Sequence, residues 1–459
     1  MALVPLAKIK QLCDRQQWHK ALPAIQARAR MSPKEVVTLN VWALCLFKTG
    51  QLDAAQAACE RSLALDATQG PLWTQAATIA LQRDNIRQAL AYIAHADRLT
   101  PKAFNTQLIR TQVLIKAHRW QDVPDLMTQL LAREPNHPQV RQLQLQCFLQ
   151  EERFAEAEPL AASLCEASPT PDHLNSYGIV LMNLGRCDEA VALFRRGVSY
   201  CLNNPPRESD AVPPRPYMDV GLAREALLAL HTTMGQLKVP FFLAFGTLLG
   251  IVRDGELLPH DKDMDVGLPW QTPRLPLVEA LLSHGYVCPQ LESYRRAPPD
   301  WYLTVVHQHT GITIDFFFAK PVDNKVEMGF SKGSERMSWA FAPFKLTAVD
   351  YAGQSFKAPS NAMSHLEEVY GTQWDIPDAN FDSCLVAPNL GSHSRRLSQA
   401  MGLNRLLGLL VKKNWKKAHG YCLQMQSVVS DPLIDQLRTH LEARYNEAWF
   451  PERSYEATT

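Results

Sequence analysis

The stretch FGTLLGIVRDGELLPHDKDMDVGL, Phe245 to Leu268, carries a Gly-Thr turn at the end of an apolar run and an Asp-x-Asp-x-Asp about fifteen residues later. The run VPFFLAF, Val239 to Phe245, reads as a short buried strand, and TLLGIVRDG reads as a short helix ending at Gly255. Gly246 and Thr247 then fall at a helix N-terminus, where free backbone N–H groups and the positive dipole end suit the phosphates of a substrate. Asp263 and Asp265 are two apart, so a strand through DMDVGL presents both carboxylates on one face. Their repulsion calls for a cation between them. With oxygen ligands beside a phosphate, the expected cation is Mg²⁺, or Mn²⁺.

A third carboxylate joins this pair. WYLTVVHQHTGITIDFFFAK holds two strand-like runs, Trp301 to Gln308 and Ile312 to Phe318, joined by a turn at Thr310 and Gly311. Asp315 is the charge in a run otherwise made of Ile, Thr and Phe. Buried alone it would cost several kcal/mol or take up a proton. It needs a partner: an Arg or backbone amides in a structural role, or a metal shared with Asp263 and Asp265.

Composition sets the frame around this site. At 459 residues the chain holds two or three domains, and 47 basic against 46 acidic residues exclude nucleic-acid binding driven by bulk charge. Met1 to Lys10 lacks the pattern of a signal peptide, and no apolar run approaches a transmembrane span, so a cytoplasmic protein is expected. The ten cysteines form no CxxC pairs and read as reduced, packed thiols.

The first two hundred residues repeat. Ala21, Ala55, Ala89, Val123 and Ala157 are spaced by 34, Ala190 follows one residue short, and Pro33, Pro101, Pro135 and Pro169 keep the same period. An apolar residue stands three positions before each small one: Trp18, Leu52, Ile86, Trp120, Phe154 and Cys187. This pattern resembles the tetratricopeptide repeat (TPR). It implies an all-α superhelix of about six helical pairs over residues 1–200, whose concave surface suits a protein or glycan partner. CLNNPPRESDAVPPRPYM, residues 201–218, reads as a linker, and residues 219–400 alternate strands and helices as an α/β or α+β domain with a mixed sheet. Residues 401–459 read as a helical tail, in which Trp415 and Ala418 repeat the three-residue offset and suggest a degenerate helical pair. Lys412, Lys413, Lys416 and Lys417 cluster there. They form either a solvated face or a contact for an anionic glycan or the inner face of a membrane.

GTLLGIVRDGELLPHDKDMDVGL, IDFFF and FKAPSNAMSHLEEVYGTQW, in that order, resemble the LicD family, which includes fukutin and fukutin-related protein. The resemblance covers about Leu222 to Trp374 and implies a nucleotidyltransferase-type fold. Transferred by residue, it implies that Asp263, Asp265 and Asp315 are the metal-binding and catalytic acids and that Asp261 orients them. Gly246 and Thr247 match the turn that holds donor phosphates, and Arg253 a position for a bidentate phosphate contact, with a helix-terminal cation as the alternative. Tyr370, Gly371 and Trp374 match a motif read first as packing. The chain departs from many members at His260, where they carry Trp, and at Lys262, where they carry a further acid. His260 is then either a substrate contact or an exposed loop residue.

The activity implied is Mg²⁺-dependent transfer of a phospho-alcohol, such as phosphocholine or ribitol phosphate, from a CDP-activated donor to a carbohydrate or glycolipid hydroxyl, with release of CMP. Nucleotidyl transfer with release of pyrophosphate uses the same acids and is the alternative. A TPR scaffold with an inactive transferase domain is a third reading. Trp301, Tyr302, Trp339 and Phe341 are the aromatic candidates for a choline donor, or else core residues.

Overall fold

Seven turns joining one helix to the next close with the same hydrogen bond, in which the residue entering the second helix donates its N–H to a carbonyl five residues back. The pairs are Gln17 to Leu12, Gln51 to Leu46, Asn85 to Ala80, Arg119 to Leu114, Arg153 to Phe148, Arg186 to Leu181 and Asn414 to Leu409, each at 2.8–2.9 Å. Such a bond needs a left-handed residue at the helix end. Gln16, Gly50, Asp84, Glu152, Gly185 and Lys413 supply it, with φ between 54° and 80°. The small residues that set the sequence period, Ala21, Ala55, Ala89, Val123, Ala157, Ala190 and Ala418, are each at most 3% exposed, because the two helices of a pair touch there.

The computed structural model describes residues 3–117, 119–204, 218–378 and 380–444. Most of the expected linker, residues 205–217, lies outside the described residues. The chain divides into two compact units, Met1–Gln144 and Leu145–Thr459. The first holds four TPR-type helical pairs, opening with Leu6–Asp14 and Trp18–Met31, and the start of the helix Pro138–Gln150. In its fourth pair the second helix begins as a 3-10 turn, Trp120–Asp122, before Pro124–Arg133, because Pro124 is favoured only at a helix start.

The second unit begins inside the repeat array rather than at the expected linker. The helices Pro171–Asn183 and Cys187–Asn203 share one apolar core with a face of the sheet and with the C-terminal helices: Phe194, Leu407, Tyr421, Phe317 and Trp339 all belong to it. Burial of that common surface binds the later repeats to the domain that follows. The C-terminal helices Arg395–Val411 and Trp415–Val428 form a seventh pair, and Pro432–Arg444 ends the described chain. Helix Arg395–Val411 packs on the sixth pair, with Asn404 Nδ2 donating to Asn175 Oδ1 at 2.9 Å and Arg195 paired with Asp431. The α/β domain is therefore an insertion between the sixth and seventh helical pairs.

Within that domain, helix Val220–Leu237 is capped by the Asp219 side chain and leads to the sheet. The strands are β1 (Phe242–Leu243), β2 (Met264–Pro269), β3 (Tyr286–Val287), β4 (Tyr302–His307), β5 (Thr313–Val322), β6 (Lys325–Lys332) and β7 (Glu335–Phe341), with β8 (Leu346–Tyr351) and β9 (Gln354–Pro359) as a separate hairpin. The order is β1-β2-β5-β4-β3, with β6 on the far half of β5 and β7 on β6. Among the described residues, β2 and β5 are the one parallel pair, so the sheet is mixed. The first strand is shorter than Val239 to Phe245, because Phe245 takes φ 40° and turns the chain into the helix Phe245–Asp254. That helix stops at Gly255, at φ 70°, as its sequence indicates.

Candidate active site

Strand β2 carries Asp265 and strand β5 carries Asp315, and parallel register makes the two residues neighbours. Asp263 stands one residue before β2. One carboxylate oxygen from each of Asp263, Asp265 and Asp315 lies within 4.8 Å of the others. Asp315 is buried, and its oxygens are held apart by Tyr302 O–H at 2.9 Å on Oδ2 and Thr304 Oγ1 at 2.7 Å on Oδ1. Register places Thr304 opposite Asp315 on β4, and alternation puts Tyr302 on the same face.

The Gly-Thr turn serves Asp265. Gly246 N–H donates to Asp265 Oδ2 at 3.0 Å, and Thr247 Oγ1 accepts from the Asp265 N–H at 2.8 Å. Thr247 is 3% exposed. A Cβ on Gly246 would overlap Asp261 Oδ2, so that carboxylate would have to shift to admit one. The helix start expected to cradle phosphate thus already orients an acid. Phe245, the residue with φ 40°, is anchored by ring contacts to Phe317, Trp339 and Phe341, which hold the strained backbone in place.

Repulsion among these acids is strong. Burial, followed by the charges of Asp263, Asp261 and Asp315, pushes the Asp265 carboxyl well above its ordinary range. Burial and Asp263 push Asp315 up to about 8 and Asp261 up to about 7. Burial also raises Asp263, against the pull of Lys262 and Arg405. Three crowded oxygen donors, two of them oriented by hydrogen bonds, fit a hard divalent cation such as Mg²⁺ or Mn²⁺.

The acids open into a cavity of about 460 Å³. Arg253 and His260 line it. Arg253 is also fixed by Asp254, with Nε and Nη2 each 2.8 Å from a carboxylate oxygen, at the last turn of its helix. His260 is exposed. Of the four aromatic candidates, Tyr302 and Trp339 reach the cavity. Trp301 is buried beside Trp270, and Phe341 stacks on His365 at 4.2 Å.

Several cavity residues escaped the sequence reading. Tyr370 and Trp374, read as packing, line the wall, with Gly371 at φ 80° turning the chain between them. Lys332, at the end of β6, comes near enough for the Asp315 charge to act on it. The seventh helical pair adds Arg405 and Tyr421, together with Lys417 of the basic cluster marked in the sequence. Arg405 and Tyr421 both bind the carboxylate of Asp382, which also accepts the Cys384 N–H at 2.9 Å. This buried network fastens the C-terminal helices to the cavity rim. Among the described residues, no helix is long and apolar enough to cross a membrane.

Residues 238–361 match a family model described as LicD/FKTN/FKRP, nucleotidyltransferase domain. Ribitol-5-phosphate transferase FKTN of Homo sapiens is 25% identical over 169 residues, covering 37% of this chain and 36% of the relative. The Mus musculus protein of the same name gives the same identity and coverage. The chain therefore matches about a third of the length of these curated relatives. Among solved structures, a tetratricopeptide repeat protein from Parabacteroides merdae aligns with a TM-score of 0.35 at 12% identity, covering 41% of this chain and 74% of that one. Pseudomonas aeruginosa pilF aligns with a TM-score of 0.36 at 12% identity, over 44% and 90%. The repeat architecture stands on its own seven turns and buried small residues. With Asp263, Asp265 and Asp315 inside the matched segment, the chain carries a LicD domain homologous to part of fukutin, set among TPR-type helical pairs.

Proposed function

We propose that the chain is a divalent-metal-dependent transferase that moves a phospho-alcohol group from a CDP-activated donor to a hydroxyl of a glycan or glycoconjugate, releasing CMP. The observation that carries this reading is the carboxylate cluster of Asp263, Asp265 and Asp315 at a cavity of about 460 Å³ within a LicD domain. The printed name of the human relative, a ribitol-5-phosphate transferase, supports a phospho-alcohol as the group transferred.

Asp263, Asp265 and Asp315 would hold Mg²⁺, which when bound supplies positive charge to the donor phosphates and the leaving group. Gly246 and Thr247 keep Asp265 in one orientation through the backbone and hydroxyl contacts described above. Tyr302 and Thr304 do the same for Asp315. Arg253 and His260 offer cavity-facing groups to the donor. Asp315 is the candidate to take the proton of the acceptor hydroxyl, since its carboxylate is fixed by two hydroxyl donors inside the cavity. Phe245, Tyr302 and Trp339 bring apolar ring surface beside the acids and exclude water.

The test is to incubate the full chain with CDP-ribitol, CDP-choline, CDP-glycerol and CDP-ethanolamine, with and without Mg²⁺, and to measure CMP. Metal-dependent CMP release supports the reading. Pyrophosphate released from a nucleoside triphosphate instead would support nucleotidyl transfer. Failure to bind both Mg²⁺ and every CDP-alcohol would leave a scaffold.

A further inference from the structure

The repeat brings together two places from neighbouring helical pairs: one in the last turn of a pair's first helix, and one 32 residues later in the first helix of the next pair. Phe47 with Ile79, and Leu81 with Val113, fill these places with apolar side chains that share a core. At the start of the array the same two places hold Cys13, in the last turn of Leu6–Asp14, and Cys45, in Val36–Lys48. Their sulfurs lie 3.5 Å apart in a buried contact. We infer that Cys13 and Cys45 are a peroxide-sensitive dithiol that closes to a disulfide and locks the first helical pair onto the second.

The packing of the repeat does not ask for sulfur at either place, since Phe47 and Leu81 or Ile79 and Val113 serve the later pairs. Cys13 and Cys45 share a core with Ile9, Ala21 and Ile25, so the two helices already meet there without a covalent link. All ten cysteines are free thiols, and among the described residues no other two cysteine sulfurs come within hydrogen-bond reach. A disulfide bond is about 2.0 Å long, so the sulfurs must close by about 1.5 Å, a distance that rotation of the side chains can cover. The first pair of a repeat array packs on one neighbour instead of two, which makes it the pair most open to local unfolding. A bond across that one interface acts where the array is held least.

Cys13 is 8% exposed and Cys45 0%, so an oxidant meets Cys13 first. Burial, followed by the neighbouring Cys13, pushes the Cys45 thiol up to about 12 and keeps it protonated. In the first step the Cys13 sulfur attacks one oxygen of hydrogen peroxide. The S–O bond forms, the O–O bond breaks, and the Cys13 proton leaves with the other oxygen as water. The Cys45 sulfur then attacks the Cys13 sulfur: the S–S bond forms, the S–O bond breaks, and the hydroxyl leaves with the Cys45 proton as a second water. Two electrons pass from the pair of sulfurs to the peroxide, and a dithiol reductant returns them. With Cys45 held protonated, closure is the slow step.

The test treats the folded full chain with equimolar hydrogen peroxide, alkylates the remaining thiols and digests with trypsin without reduction. The chain should lose two of its ten thiols, and the peptide Gln11–Arg15 should appear joined to Glu35–Lys48. Dithiothreitol should restore both thiols. The cross-linked chain should begin to unfold about 5–10 °C later than the reduced one. Cys45→Ala should stop the cross-link and leave a Cys13 sulfenic acid that dimedone captures, whereas Cys59→Ala should still cross-link. The inference is overturned if both peptides are recovered alkylated while other cysteines oxidise, if Cys13 or Cys45 is found joined to a different cysteine, or if the cross-link leaves the onset of unfolding unchanged or lower. Peptide mapping uses the native chain, so it decides the matter even where a variant fails to fold. No readout involves turnover, so the outcome is independent of the transferase reading.

Discussion

Asp265 and Asp315 are register partners on the parallel strands β2 and β5. Fifty residues separate them in sequence, yet adjacent strands lie about 4.8 Å apart, so the pairing alone brings the carboxylates to one face. Each is oriented by different donors, Gly246 N–H for one and the Tyr302 and Thr304 hydroxyls for the other. Asp265→Asn and Asp315→Asn keep the shape and remove the charge. Each is expected to lower CMP release by at least about a hundredfold while leaving the circular dichroism spectrum unchanged. Asp315→Asn separates two roles: normal Mg²⁺ occupancy with turnover lost supports proton transfer by Asp315, and normal occupancy with full turnover excludes it.

The crowded acids make stability depend on pH in a definite direction. Asp261 and Asp315 move from an ordinary value of 3.8 to about 7 and about 8 in the folded chain. The folded state therefore holds protons that the unfolded state has lost, and the stability they contribute falls as pH rises from about 4 to about 8. Divalent metal should reverse the trend, because it binds the deprotonated carboxylates. Thermal unfolding in EDTA is expected to show a falling midpoint across this window, and Mg²⁺ should raise the midpoint most at the alkaline end. A midpoint that rises with pH in EDTA would contradict the raised carboxyls.

Gly246→Ala probes the packing of the acids without replacing any of them. The new methyl would overlap Asp261 Oδ2 and approach Asp265 Oδ2 at 3.3 Å. Displacing either carboxylate is expected to weaken Mg²⁺ binding by about 10–100-fold, the usual cost of disturbing groups that orient metal ligands. Isothermal titration with Mg²⁺ reads the loss. Unchanged affinity would mean that Asp261 moves aside freely and has no part in setting the site.

The difference between what could and could not be read from sequence follows sequence distance. The repeats were legible because each pair needs a small residue at a fixed place, and Ala21, Ala55 and Ala89 are all fully buried. The acids were legible because a charge inside an apolar strand demands a partner, as at Asp315. The clustered carboxylates were therefore easier to find than the rest of the cavity lining. Arg405 meets Asp382 across a loop, and helix Arg395–Val411 meets the sixth pair two hundred residues away, where no local pattern marks the contact. Gly246 and Thr247 were identified by their helix start, but their engagement with Asp265 depends on the strand that comes to lie beside them.

Gly197 and Leu407 test whether the C-terminal helices are part of the repeat stack. A Cβ on Gly197 would lie 2.5 Å from Leu407 Cδ2 and 3.0 Å from Cδ1, so the helix Cys187–Asn203 has room for Arg395–Val411 only because residue 197 lacks a side chain. Gly197→Ala is expected to destabilise the second unit by about 1–3 kcal/mol through overpacking, even though alanine favours an isolated helix. Leu407→Ala alone should cost about 2–5 kcal/mol as a cavity. In the double variant the alanine methyl gains the space left by the leucine, so the two losses should fall short of their sum by more than about 0.5 kcal/mol in urea unfolding. Simple additivity would mean that the two helices part without consequence, and that the seventh pair is not seated on the sixth.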